Sequence, residues 1–158
     1  MKTRKRCVFK KNDYTSSDGM LTSVWGPGLW HYMHTMSFNY PTNPTLKDKK
    51  NYYNFINNLQ NILPCKHCRD NLKNNFKICK LNMSTMKNRY TFSKYVYDLH
   101  ETVNKMLNKS SGLTYATVRD RYEHFRSRCT KNKNKNKNKK KTRKRSDSRK
   151  AKKENGCV

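Results

Sequence analysis

The stretch YYNFINNLQNILPCKHC, residues 52–68, joins an apolar helical stripe to a pair of cysteines. Its apolar residues recur at intervals of three and one, which is the spacing of one face of an α-helix. They are Tyr52, Phe55, Ile56, Leu59, Ile62 and Leu63. Thr45, with Asp48 three residues later, is typical of a capped helix start. We therefore expect a helix that begins after Thr45 and packs this stripe against a core.

Three other stretches show the same helical period. They are residues 29–40, stopped by Pro41; residues 92–107, with Thr91 as cap and Gly112 beyond the end; and residues 115–125, capped by Thr114. No segment alternates apolar and polar residues convincingly with the period of two that is typical of strands. We therefore expect an all-α domain of four or five helices with short connections, packed as a bundle.

The composition allows one modest domain with charged ends. The chain has 158 residues, of which 33% are hydrophobic, and a formal net charge of +27. Residues 130–158 alone carry +12 and are nearly free of the apolar side chains that would offset the entropy of folding. We expect a largely disordered basic arm over residues 1–22, a folded domain over residues 23–129 and a disordered Lys- and Arg-rich tail over residues 130–158.

The sequence argues against a membrane-spanning or a secreted protein. No apolar run reaches the roughly 20 residues that a helix needs to cross a bilayer. The first residues lack the apolar central region of a secretory signal. The six cysteines are irregularly spaced, unlike those of a small disulfide scaffold. In a reducing compartment, a Cys-x-x-Cys motif is more often metal-binding or catalytic than structural.

Cys65 and Cys68 have three chemical interpretations. Pro64 favours the first turn of a helix, which we expect to run to about Lys77, and a helix start lowers the pKa of a thiol. A structural zinc site needs four ligands, and no second Cys-x-x-Cys motif is present, so we expect no metal. A thioredoxin-like site needs a βαβ unit, which the chain lacks. A redox pair in a helical bundle is the remaining interpretation, and it requires an electron-accepting cofactor.

Several motifs together resemble the ERV/ALR family of flavin-linked sulfhydryl oxidases. They are WGPGLWHYMHTMSFNYP at residues 25–41, LPCKHC at residues 63–68, FSKYVYDLHETVNKMLNK at residues 92–109 and ATVRDRY at residues 116–122. The resemblance extends over about residues 23–129. It implies a four-helix bundle with a short fifth helix, usually a homodimer, with FAD at the bundle mouth beside the cysteine pair.

The resemblance implies roles for individual positions. Cys65 and Cys68 match the catalytic pair. The residues that match FAD contacts are Gly26 (ahead of the first helix), Trp30, His34, Tyr40, His100, Asn104, Lys109 and Tyr122. From the residue pattern alone, Trp30 and Tyr40 are better explained as core residues than as cofactor contacts. The two histidines alone would be satisfied or partly exposed side chains, and a lysine near a helix C-terminus needs no ligand.

Three departures from the family pattern have structural consequences. Glu101 stands where the family has an asparagine, and an acid near the FAD phosphates is unfavourable unless it points to solvent. Tyr97 and Tyr115 occupy the positions of a second disulfide that many members carry, so stability must come from packing or from a dimer. Tyr122 replaces a tryptophan of the last helix and can still stack on adenine.

The resemblance also implies a mechanism. A thiolate of the substrate attacks Cys65, which we expect to be the more exposed sulfur, and Cys68 leaves as a thiolate. Cys68 then passes two electrons to FAD, and molecular oxygen reoxidises the flavin with release of hydrogen peroxide. The other cysteines are single: Cys7, Cys129 and Cys157 are candidate shuttle residues, and Cys79 is expected to be a buried thiol.

The expected partners are protein dithiols, molecular oxygen and a second copy of the chain. The basic tail predicts nonspecific, salt-dependent contact with nucleic acid or other acidic surfaces. A basic nucleic-acid-binding protein with a structural Cys-x-x-Cys is the alternative function. The Lys- and Asn-rich composition favours a member from a large DNA virus, acting in the host cytoplasm or packaged in the virion.

Overall fold

The structure, a computed structural model, describes residues 10–16 and 19–126. All regular elements in these residues are α-helices, as the sequence predicts. They are α1 (Lys11–Thr15), α2 (Thr22–Phe38), α3 (Leu46–Ile62), α4 (Lys66–Ile78), α5 (Arg89–Met106) and α6 (Tyr115–His124). Four long helices, α2 to α5, are followed by the shorter α6, which confirms the expected architecture. The additional α1 lies inside the stretch that we expected to be a largely disordered arm.

Helix α2 packs on both α5 and α6. Helix α3 packs on α4, and α4 in turn packs on α5. The core is formed by Met33, Tyr40, Ile56, Leu59, Leu63, Leu72, Met86, Phe92, Tyr95, Val96 and Leu99. Most of the stripe predicted on α3 therefore faces the core. Ile62 is the exception: it lies at the end of α3 and is 66% exposed.

The starts of α3 and α5 follow the capping rules, with one difference from the prediction. The backbone N–H of Asp48 donates to the Thr45 hydroxyl, and the Asp48 carboxylate accepts from the backbone N–H of Thr45, so the capped start of α3 is confirmed. Thr91 is not the cap of α5. Asn88 caps that helix through its side-chain oxygen, and Thr91 is the third helical residue, whose hydroxyl accepts from the backbone N–H of Asn88.

Helix α5 ends earlier than Gly112 suggested. Asn108 adopts a left-handed conformation with φ of 52°, which asparagine tolerates better than most residues. The N–H groups of Asn108 and Lys109 then donate to the carbonyls of Lys105 and Asn104, a Schellman arrangement that closes the helix. Gly112, with φ of 63°, lies in the following loop.

The compact unit that contains these helices extends to His124, and Phe125 and Arg126 belong to a separate unit. The predicted end of the domain at residue 129 and the predicted basic tail lie outside the described residues. No helix in the part of the chain that is described has the length and apolar character to span a membrane.

Candidate active site

The cysteine pair lies at the start of α4, as its sequence predicts. Cys65 is the N-cap residue and Cys68 is the third helical residue, so Pro64 precedes the helix instead of lying in its first turn. The two cysteines form a disulfide with Cα atoms 5.2 Å apart. The backbone N–H of Cys68 donates to Sγ of Cys65 at 3.2 Å. This N–H group and the dipole of α4 therefore favour a thiolate when the bond is reduced.

The exposure of the two cysteines is the reverse of the expectation. Cys65 is buried, with 8% of its surface exposed, whereas Cys68 is partly buried. The two cations nearest the pair in sequence, Lys66 and Arg69, are bonded to other groups. Nζ of Lys66 lies 2.8 Å from a carboxylate oxygen of Asp70, and the guanidinium of Arg69 donates to the carbonyl of Leu63.

Residues 19–22, here called the strap, lie against the start of α4. The backbone N–H of Met20 donates to the carbonyl of Pro64 at 2.6 Å. Gly19 adopts φ of +77°, and a Cβ at this position would overlap the carbonyl oxygen of Pro64. Thr22, the last strap residue and the first of α2, places its hydroxyl 3.4 Å from Sγ of Cys68. The strap therefore joins the start of α2 to the disulfide.

A cluster of rings lies further along α2. The rings of Trp30 and His100 stack with centroids 4.0 Å apart and an interplanar angle of 6°. Nε2 of His34 lies 3.0 Å from Nδ1 of His100, and the Tyr122 ring lies 5.2 Å from that of His34. The family resemblance implied eight FAD contacts. Four of these residues are therefore brought together here from three helices, α2, α5 and α6.

The two histidines of this cluster are held in their neutral form. Burial, together with the smaller effects of the neighbouring His100 and His31, lowers the pKa of His34 to about 4. Burial also lowers the pKa of His100, although Glu101 opposes the effect. Whichever tautomer His34 adopts, its buried Nδ1 has no hydrogen-bond partner among the described residues. Such a group is costly unless something else pairs with it.

Two of the predicted FAD contacts lie elsewhere in the fold. Tyr40 is fully buried, and its hydroxyl donates to the carbonyl of Met86, while its ring packs against Tyr52 and Phe92. Its structural position is thus that of a core residue. Gly26 does not precede the first long helix, as we expected, but lies inside α2.

The remaining two predicted FAD contacts, Asn104 and Lys109, lie at the end of α5. The side-chain amide of Asn104 donates to the carboxylate of Glu101 at 3.0 Å, so the acid that departs from the family pattern is half-buried and turned toward its own helix. Lys109 is exposed just beyond the helix end. A cation at this place is available to an anionic ligand.

The two tyrosines at the positions of the family's second disulfide are in contact. The rings of Tyr97 and Tyr115 meet at an angle of 67°, with centroids 5.7 Å apart. The Tyr97 hydroxyl donates to the carbonyl of Leu113, and the Tyr115 hydroxyl lies 2.8 Å from Oγ of Ser93. Packing and hydrogen bonds therefore connect α5 to α6 here.

The other cysteines leave the shuttle hypothesis as a prediction. Cys7, Cys129 and Cys157 lie outside the described residues. Cys79 caps the end of α4 and is half-buried, so it is less enclosed than we expected, and burial raises the pKa of its thiol. Within the described ranges, no group of histidine, cysteine and acidic side chains is arranged to hold a metal ion.

Sequence reasoning missed four residues of this region. Gly19 and Thr22 shape the strap, and only the glycine gave a signal, because glycine is favoured where φ is positive. His31 and Phe38 contact the Tyr122 ring, at centroid distances of 5.6 and 5.5 Å. Both lie about one turn from His34, so their helical spacing was the signal that places them on the same side of α2.

The chain is similar in sequence to known proteins. One relative, from Acanthamoeba polyphaga mimivirus and described as a probable FAD-linked sulfhydryl oxidase, is 35% identical over 96 residues, which are 61% of this chain and 66% of that protein. A second, the FAD-linked sulfhydryl oxidase ERV1 of Arabidopsis thaliana, is 31% identical over 53% of this chain and 42% of its own length. The chain thus covers less than two thirds of either relative.

The fold is similar to that of a solved structure. The crystal structure of the yeast Erv1 core superimposes with a TM-score of 0.59 at 20% identity, over 80% of this chain and all of that one. The sequence profile of the Erv1 / Alr family matches residues 27–123, which is more than half of the chain. The chain therefore belongs to the Erv1 / Alr family.

Proposed function

We propose that the protein is a thiol oxidase, which uses the Cys65–Cys68 disulfide to form disulfides in protein substrates with FAD as cofactor. The observation that carries the proposal is the disulfide itself, placed at the N-terminus of α4. A disulfide with a purely structural role forms no thiolate, so a helix N-terminus adds little to its stability. A disulfide that is reduced and reformed gains from it, because the helix start stabilises the thiolate that exchange produces.

The thiol exchange proceeds in two balanced steps. A substrate thiolate attacks Sγ of Cys65, the bond between Cys65 and Cys68 breaks, and Cys68 leaves with the electron pair as a thiolate. A second substrate thiolate then attacks the substrate sulfur of the mixed disulfide and releases Cys65 as a thiolate. The substrate leaves with a disulfide, and the pair on α4 holds two electrons. Attack on Cys65 rests on the family resemblance, since this residue is the more buried of the two.

The ring cluster fits FAD as the acceptor of those electrons. Trp30, His100 and Tyr122 present aromatic surfaces, and Nδ1 of His34 is a buried polar atom that a ligand group can pair with. Lys109 is an exposed cation suited to the phosphates. Bound FAD would supply an acceptor for the two electrons, and their final transfer to molecular oxygen with two protons would yield hydrogen peroxide.

The distance between the two parts of the site suits a long cofactor. Thr22, beside the disulfide, and His34, in the ring cluster, are separated by 12 residues of α2, so they lie about 18 Å apart along the helix axis. An extended dinucleotide has this reach. Because His34 is neutral, its Nδ1 can pair with a ligand group without adding charge.

The surface beside the disulfide suits a polypeptide substrate. Met20, Leu21 and Val24 are 69%, 74% and 76% exposed, and they flank Thr22. Exposed apolar side chains that lie together are typical of protein contact sites. We assign this patch to the docking of the dithiol protein.

Three further expectations stay proposals. The chain forms a homodimer, which light scattering after size exclusion tests. The tail at residues 130–158 contacts acidic surfaces through its charge of +12, which binding to DNA at increasing salt tests. The protein acts in the host cytoplasm or in the virion, which fractionation of infected cells tests.

Oxygen consumption with a reduced protein substrate tests the proposed function. We expect turnover by the wild-type chain, with peroxide formed in equal amount to the oxygen consumed. Cys65→Ser and Cys68→Ser should each abolish turnover, whereas Cys79→Ser, which removes a thiol outside the disulfide, should retain it. Equal activity in all four proteins would contradict the proposal.

A further inference from the structure

The Thr22 hydroxyl lies next to Cys68. Among the described residues, it is the side-chain group that forms a hydrogen bond with the sulfur of Cys68. Its Oγ1 lies 3.4 Å from Sγ of Cys68, within hydrogen-bonding distance for sulfur. A disulfide sulfur has no hydrogen and can only accept. The Thr22 hydroxyl is therefore the donor in this contact.

The two sulfurs of the disulfide have different donors. Sγ of Cys65 accepts the backbone N–H of Cys68, which every residue at position 68 other than proline would supply. Sγ of Cys68 accepts a side-chain hydroxyl from another helix. The nearby cations are bonded to other groups: Lys66 to Asp70 and Arg69 to the carbonyl of Leu63.

The strap holds the Thr22 hydroxyl in place. The bond from the N–H of Met20 to the carbonyl of Pro64 fixes the chain two residues before Thr22. The indole N–H of Trp25 donates to the carbonyl of Met20 at 3.0 Å, which ties the strap to the first turn of α2. Gly19 permits the close approach to Pro64, because any side chain there would overlap the backbone. The chain is thus held by hydrogen bonds both before Thr22, at Met20, and after it, at Trp25.

We propose that Thr22 is a positioning residue that stabilises Cys68 as the leaving sulfur of the disulfide. The inference rests on the proposed function. When a substrate thiolate attacks Cys65, a sulfur–sulfur bond forms between the substrate and Cys65, and the bond between Cys65 and Cys68 breaks. The electron pair of the broken bond goes to Cys68. The Thr22 hydroxyl keeps its proton and donates a hydrogen bond to the resulting thiolate.

This contact favours the reduced state over the disulfide. A hydrogen bond to a charged acceptor is stronger than one to a neutral acceptor, so the bond strengthens as Cys68 becomes a thiolate. A dithiol–disulfide pair whose reduced form is stabilised is a stronger oxidant. Thr22 therefore raises the reduction potential of the Cys65–Cys68 pair and speeds the attack on Cys65.

The test is the redox equilibrium of the pair in Thr22→Val, which keeps the shape of the side chain and removes the hydroxyl. The full-length protein with bound FAD is equilibrated without oxygen in mixtures of reduced and oxidised dithiothreitol. The oxidised fraction of Cys65 and Cys68 is read by alkylation and peptide mass spectrometry. We expect the equilibrium to shift toward the disulfide by about threefold to tenfold, which corresponds to about 15 to 30 mV for a two-electron pair.

Two controls separate this role from a structural one. Thr22→Ser keeps a hydroxyl and should retain a wild-type equilibrium. Thr35→Val removes a threonine hydroxyl from the same helix, where it donates to the carbonyl of His31, and should leave the equilibrium unchanged. As a second measurement, the midpoint of the pH dependence of iodoacetamide labelling at Cys68 should rise in Thr22→Val alone.

The outcomes distinguish the inference from the proposed function. A wild-type pair that dithiothreitol reduces and oxygen reoxidises, with the same equilibrium in Thr22→Val, would overturn the role of Thr22 and leave the proposed function standing. A wild-type pair that dithiothreitol cannot reduce would overturn both. A shift shared by Thr22→Val and Thr35→Val would show a general effect of α2 and would also overturn the role of Thr22.

Discussion

Nε2 of His34 lies 3.0 Å from Nδ1 of His100, so two imidazoles from different helices share one hydrogen bond inside the protein. The bond joins α2 to α5 at the level where Trp30 stacks on His100. A neutral pair satisfies it with a single proton, whereas two protonated rings would repel each other. The cluster therefore depends on histidines that remain uncharged.

Stability should fall in acid because of His34. Its pKa is lowered from the ordinary 6.5 to about 4, mainly by burial. Below pH 6.5 the unfolded chain takes up a proton that the folded chain excludes, so the stabilisation is present above pH 6.5 and is lost between pH 6.5 and 4. By pH 4 the loss from this group should reach about 2–3 kcal/mol. Denaturant unfolding at several pH values and fixed FAD content measures it.

The variant His34→Gln provides the comparison, because it cannot take up the proton. Its free energy of unfolding should be lower than that of the wild type at pH 7, and the difference should shrink as the pH falls. His67→Gln, at an exposed position, should follow the wild-type profile. Parallel pH profiles for the wild type and His34→Gln would contradict this prediction.

Gly19→Ala should destabilise the protein by about 2 kcal/mol or more, since the positive φ and the overlap with Pro64 both oppose a side chain. Thermal unfolding measures this change. Gly28→Ala is the matched control, because a Cβ there meets nothing within 4 Å. Alanine in the middle of a helix is favoured over glycine, so the control should gain about 0.5–1 kcal/mol. Equal effects of the two changes would argue against a tightly seated strap.

Tyr97 and Tyr115 should be energetically coupled. A double-mutant cycle with Tyr97→Leu and Tyr115→Leu, followed by urea unfolding, should give a coupling energy of about 0.5–1.5 kcal/mol, as expected for two rings in edge contact. The pair would then stabilise the contact between α5 and α6. Additive effects of the two substitutions would show that each ring packs independently.

Glu101→Gln should tighten FAD binding by a few fold. The substitution removes a negative charge that would lie near the cofactor phosphates, and it retains an oxygen that accepts from Asn104. Fluorescence titration of the cofactor-free protein with FAD measures the dissociation constant. The gain should shrink at high salt, because ions screen charge interactions. A gain that is independent of salt would point to packing instead of charge.

Local sequence patterns were sufficient to predict most of the fold. The spacing of apolar residues indicated α2, α3, α5 and α6, although α2 begins at Thr22, before its predicted stretch. Pro64 indicated α4, and the capping sequence at Thr45 placed the start of α3 correctly. The cap of α5 was misplaced because Asn88 and Thr91 are both capping residues, and only the folded backbone shows which one precedes the helix. Short polar helices such as α1 leave no apolar period to recognise.

The candidate site was less accessible to sequence reasoning, because its geometry is tertiary. The position of Cys65 on its own helix suggested exposure, but the strap from a different segment lies against the start of α4. Tyr40 matched a family motif, yet its ring packs among core aromatics. Thr22 has no pattern of its own, since a hydroxyl at the start of a helix is common. Its contact with Cys68 arises only when α2 and α4 meet.

The visible absorption spectrum of the purified protein tests the central claim most directly. The spectrum is recorded as purified, after dithiothreitol under argon, and again after air is readmitted. We predict a flavin spectrum that bleaches with dithiothreitol and returns in air. In the Cys68→Ser protein, the flavin absorption should bleach far more slowly. A protein that is colourless and cannot be reconstituted with FAD, or a flavin that dithiothreitol leaves oxidised, would contradict the account.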